Sequence, residues 1–132
     1  MKITITQQIR DNTDKWLNVI AEQRWPNGTV SINFGMLEIS KTGFDVYVSF
    51  CGRFEEKSTD WTRSELEKGK NRYANTPDNR NKIDWTEFEK VIGSCVKNWI
   101  RKLSTKNKLI GIRGIAHGFD SGDLTIVYKN IA

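Results

Sequence analysis

Histidine, cysteine and proline are scarce in this chain of 132 residues, which holds one, two and two of them. Its cysteines, Cys51 and Cys95, have no second pair and no histidine at zinc-ligand spacing, so a structural zinc site is excluded. Both are expected as buried thiols; a disulfide between them is the less favoured reading, since small oxidised domains usually carry more cysteines. No stretch nears the roughly 18 to 20 apolar residues of a membrane span. The opening run Met-Lys-Ile-Thr-Ile-Thr-Gln-Gln lacks the apolar core and cleavage site of a signal peptide, which predicts a cytoplasmic protein with no membrane partner. A phosphate-cradling glycine motif is also missing, because Gly111 and Gly114 fall inside a predicted strand. Asp45, Glu55, Glu56 and Asp60 lack the alternation and the glycine of a calcium loop, and edge-strand solubility explains them as well. No cofactor and no metal are expected.

Catalytic equipment is thin. His117 precedes Gly118 and lies near Asp120 and Asp123, so a histidine-carboxylate pair for general acid/base work is conceivable. Polar residues and glycines at 117–123 are, however, what a hairpin turn requires, and no serine or cysteine nucleophile stands at a recognised spacing from His117. An enzyme using His117 is therefore the least favoured of the functional readings.

What the chain does have is one long amphipathic segment, 84–103. Phe88, Val91, Ile92, Cys95, Trp99 and Leu103 recur at steps of three and four and share a face, while Lys90, Lys97 and Arg101 align opposite. Asp84 is the expected N-cap with Glu87 three residues on, and Arg101 and Lys102 sit where the helix dipole favours positive charge. An earlier helix is predicted over about 13–24, with Trp16, Leu17 and Ile20 inward and Trp25-Pro26-Asn27-Gly28 as its stop. Residues 2–6 fit either a short strand or, through Ile5 and Ile9, an earlier helical start.

Residues 29–50 read as three antiparallel strands. Val30, Ile32 and Phe34 alternate with polar residues, Leu37 and Ile39 follow on the opposite parity, and Gly35 is expected to mark a bulge that resets the face. A turn at Ser40-Lys41-Thr42-Gly43 then leads into Phe44, Val46, Val48 and Phe50, which pairs Ile39 with Phe44 and Leu37 with Val46. Residues 69–83 hold four basic residues, four asparagines and one tyrosine. They cannot build a core and are expected to be mobile or used for binding. A second hairpin is predicted from 108–116 and 123–129. The fold class is α+β: a single domain with an antiparallel sheet of about five strands and two main helices on one face, in the order (β)αβββ(α)αββ.

Charge and tryptophan carry the functional reading. Residues 1–60 hold seven basic against eight acidic residues and residues 61–132 fourteen against eight, so the net +5 arises in the second half. Lys97, Arg101, Lys102, Lys106, Lys108 and Arg113 fall in one stretch with no acidic residue, which suits an acidic partner surface or phosphate, or else a solvated helix end. Trp16, Trp85 and Trp99 fit helical inner faces, whereas Trp25 and Trp61 sit at element ends as lids over the core or as binding anchors. The favoured function is a protein-binding module of inhibitor or immunity type that occludes an acidic partner through Trp25, Trp61, Arg72, Tyr73, Lys90, Lys97, Arg101, Lys106, Lys108 and Arg113. RNA or single-stranded DNA binding by the same basic stretch is the alternative.

Overall fold

The computed structural model describes residues 3–130. Helix α1 runs Ile5–Glu22, and Thr4 caps it by accepting from the Gln7 amide at 3.1 Å. The helical option for Ile5 and Ile9 therefore prevails over a strand, with residue 2 outside the described residues. The start lies earlier than residue 13 because Ile9 is fully buried and extends the stripe of Thr13, Trp16, Leu17 and Ile20 by a whole turn. Helix α2, Trp85–Thr105, matches its expected span: Asp84 accepts from the Glu87 amide at 2.8 Å, and Phe88, Val91, Ile92, Cys95, Trp99 and Leu103 are all buried. Neither helix is long and apolar enough to cross a membrane.

The strands are β1 (Ser31–Ile39), β2 (Gly43–Cys51), β3 (Gly114–Phe119) and β4 (Thr125–Lys129), in the spatial order β2-β1-β3-β4. This corrects the antiparallel sheet of about five strands: among the described residues the sheet is mixed and has four, with β3 parallel to β1. The connection from β2 through α2 explains the change, because a helical crossover returns the chain to the far side of β1 in β1's own direction, which a hairpin cannot do. The second hairpin begins only at Gly114, since residues 106–111 form turns after α2.

One register expectation fails as well. β1 and β2 pair without interruption from Ser31↔Cys51 to Ile39↔Gly43, so Phe44 faces Glu38 and Val46 faces Met36. Gly35 is no bulge. A side chain there would overlap the Tyr47 ring, which lies across the strand at that point. With the parity unbroken, Ile32, Phe34 and Met36 point with Val46, Val48 and Phe50 into the main core, where both helices meet them. Gly43 closes the turn at φ +98°, as a glycine there should.

The opposite face of the sheet is covered by the run between β2 and α2, which includes the short 3-10 turn Asp60–Arg63. Phe54 and Trp61 pack with Cys51 and Ala116 into a second, smaller cluster. Phe54 rests on Gly114, where any side chain would collide with its ring. Beyond it, the asparagine-rich stretch is tied to the free edge of β2. The Val48 amide donates to the Arg72 carbonyl and the Ala74 amide to the Val46 carbonyl, both at 2.9 Å. Asn71, Asn75 and Asn81 hold left-handed turns (φ 59°, 56° and 63°). Buried Asn79 spends its side chain on the Phe44 amide and carbonyl at 2.8 and 3.0 Å. The asparagines supply turn chemistry and cover a sheet edge that would otherwise offer itself for pairing.

Candidate functional site

Helix α2 borders two surface concavities of opposite character. Along its β4 side runs an open groove of about 540 Å³ whose lining includes Lys90, Lys97 and Arg101, with Ser94, His117 and Thr125. The helical spacing of seven and four residues stacks the three cations on one ridge. Among the described residues none of the three has a carboxylate within ion-pair distance. Arg10 of α1 reaches the same wall, donating to the Ser94 hydroxyl at 3.1 Å.

His117 lies at the base of this groove, 5% exposed, on the helix side of β3. The carboxylate beside it belongs to Glu89 of α2, not to Asp120 or Asp123: Nδ1 stands 3.2 Å from it, an ion-pair distance without the alignment of a hydrogen bond. Burial lowers the His117 pKa below its ordinary value, and Glu89 opposes this without overcoming it, while Lys97 adds to the lowering. A neutral imidazole wedged against α2 results; a methyl group on Gly93 would stand 2.9 Å from its Nε2. The free thiols are equally unreactive, since burial pushes Cys51 up to about 11 and Cys95 up to about 12. The described residues contain no group of three or more metal-ligating side chains.

Around the N-terminus of α2 lies the second concavity, of about 670 Å³. Phe44, Phe88 and Phe119 form an aromatic cluster at centroid separations of 5.4 to 6.4 Å, and Trp85 stands edge-on to Phe119 at 6.0 Å. Trp85 was expected in the core with Trp16 and Trp99, but it is 58% exposed. It is the first residue of α2 and precedes Phe88, the first of the helix's buried residues. Sequence reasoning passed over this cleft; the available signal was an aromatic directly after an N-cap, where no helix face need yet be buried.

The remaining expected site residues are dispersed. Trp61 is fully buried in the cluster under the outer face, so it is not an exposed anchor. The small residues Gly114 and Ala116 of β3 leave room for this cluster against the sheet. Trp25 is half-buried against Phe50 and Trp99 and donates to the Ile20 carbonyl at 2.9 Å, closing the end of the core. Arg72 pairs with Glu65 and lies over the Tyr47 ring at 4.7 Å, which occupies its charge, while Tyr73 beside it is 42% exposed. Lys106 and Arg113 are exposed in the turns flanking 107–112. Lys108 leans back onto the end of α1, 3.4 Å from the Ala21 carbonyl and 3.8 Å from the Glu22 carboxylate. Of the ten residues, only Lys90, Lys97 and Arg101 line the groove.

Comparison with family models, with curated proteins and with solved structures finds no match to this chain.

Proposed function

We propose that this chain is a protein-binding module without catalytic activity, which acts by stoichiometric occupation of an acidic surface on a partner protein, as inhibitor and immunity-type proteins do. The observation that carries the reading is the set Lys90, Lys97 and Arg101, three cations that line one open groove and have no ion-pair partner among the described residues. Cations held together and left unneutralised steer an oppositely charged partner and set its register, while a rigid two-helix and sheet body supplies preorganisation. Single-stranded nucleic acid is the weaker reading because stacking and charge are needed in one place. Here neither exposed aromatic lines the groove: Trp85 lies in the other cleft, whose lining includes Glu38, Asp84 and Asp120, Tyr73 lies in neither, and Glu89 shares the groove with the cations.

The test is capture from native-cell extract with nuclease present, comparing the natural chain with the double variant Lys97→Glu, Arg101→Glu. A single protein retained in equimolar amount by the first and lost by the second is the expected result. In parallel, a labelled single-stranded oligonucleotide is titrated at two salt concentrations. Binding tighter than about micromolar at physiological salt, falling by about 0.7 log units per log unit of salt for each phosphate contact, would replace this reading with nucleic-acid binding.

A further inference from the structure

The aromatic cleft at the start of α2 is distinct from the cationic groove and has the opposite charge. Trp85, Phe44 and Phe119 present rings to it, and buried Met36 helps to line its interior. Its polar rim is Glu38, Asp84 and Asp120, all three exposed, and no lysine or arginine contributes to the lining. A chain of net charge +5 thus keeps three carboxylates around an exposed aromatic surface. The positive end of the α2 dipole, worth roughly half a charge, points the same way but does not cancel three carboxylates.

We propose that this cleft binds a small organic cation with an apolar body, an aralkylammonium being the simplest example. Two independent features call for the same ligand. Indole and phenyl faces carry the negative side of a ring quadrupole, and a cation over them is attracted most strongly by tryptophan. The carboxylates attract the same charge at longer range, and an apolar body recovers the hydrophobic free energy of covering the exposed ring of Trp85. A volume of about 670 Å³ lies within the usual size of small-molecule sites, roughly 300 to 1,000 Å³. Neutral apolar molecules would gain only the last of these contributions, and anions would be repelled.

Three probes sharing a phenyl body separate the contributions: phenethylammonium, 2-phenylethanol and 3-phenylpropionate. Each is titrated into the natural chain while the indole N–H signals are followed by nitrogen-resolved NMR. Phenethylammonium should shift the Trp85 signal with a Kd at least about tenfold below that of the alcohol, and the carboxylate should leave it in place. Trp85→Ala should abolish the binding, read from the backbone amide signals of Phe119 and Ser121 in the cleft, with folding retained because the Trp85 side chain is mostly exposed. The triple variant Glu38→Gln, Asp84→Asn, Asp120→Asn should bring the amine down to the alcohol's affinity. Asparagine still caps α2 at position 84 and still offers Tyr47 an acceptor at position 120, so the fold is kept. Equal affinity for amine and alcohol, retention of the amine preference in the triple variant, or no response at Trp85 to any probe would each overturn the proposal. Charge reversal in the cationic groove leaves all of these outcomes unchanged, so either site can fail without the other.

Discussion

On its helix side the sheet presents Ile32, Phe34, Met36, Val46, Val48 and Phe50 to α1 and α2. On the other side the same two strands present Ser31, Asn33, Gly35 and Ser49, and the cover is an irregular run with no long element in it. The first side is held by large side chains interlocking across two layers. The second depends on small ones: Gly114 and Ala116 leave the sheet bare enough for Phe54 and Trp61 to lie against it, and Gly35 does the same for Tyr47. Large interlocking residues mark themselves by periodicity, whereas a flat site for a ring is marked only by what is missing.

The sharpest test of this contrast is on the helix side. Trp99 is 3% exposed, packs edge-on against Phe34 at 5.5 Å and donates to the Leu17 carbonyl at 2.7 Å. Trp99→Ala should cost about 3 to 5 kcal/mol in denaturant melts, and Lys97→Ala, two residues away on the ridge, should change stability by less than about 0.5 kcal/mol. Equal effects would mean that the inner face of α2 is misassigned.

On the outer side the informative change adds an atom instead of removing many. Gly114→Ala drives a methyl group into the Phe54 ring and should cost about 1 to 3 kcal/mol, the usual range for overpacking. Unchanged stability would show that Phe54 is not seated on the strand, and with it the account of the second cluster would go.

The smallest effect expected is a slope with pH. His117 is the one titratable imidazole and lies on the helix side, with its folded pKa below the ordinary 6.5 because burial disfavours the charged ring. Below about pH 6.5 the unfolded chain takes up a proton that the folded chain resists, so the contribution of His117 is fully present above that pH and is lost as pH falls toward the folded value. Glu89 and Lys97, which face the ring, act in opposite directions on that folded value. Denaturant midpoints at about pH 7.5 and about pH 5.5 should differ less in His117→Gln than in the natural chain. An unchanged pH dependence would mean that the fold does not shift the ring's pKa, and a larger difference in the variant would mean that the Glu89 pair dominates and keeps the ring protonated.

Much of the helix side was legible in advance. Asp84 with Glu87 announced the start of α2, the three- and four-residue steps of Phe88, Val91, Ile92, Cys95, Trp99 and Leu103 announced its face, and Gly43 announced the hairpin turn. The register of that hairpin was not, because Leu37 and Ile39 are apolar on a parity that the sheet leaves partly open, and a pattern count weighs them equally with Ile32 and Phe34. Of the candidate site, the alignment of Lys90, Lys97 and Arg101 was legible from helical spacing alone. The burial of Trp61 and the exposure of Trp85 were not, for local pattern left Trp61 open between lid and anchor and put Trp85 on the inner face.

By itself the sequence determined what a few consecutive turns of chain can decide: helix faces, caps, a glycine turn, and the accumulation of positive charge in the second half. Tertiary structure alone decided that β3 returns parallel to β1, that Glu89 rather than Asp120 meets His117, and that Trp85 and the cations line separate concavities, one at the start of α2 and one along it. The physical reason is range. Periodicity and capping act over three to seven residues and are written into neighbouring positions. The crossover and the pairing of a histidine with a carboxylate 28 positions away are settled by how the layers pack, which no local stretch of sequence encodes.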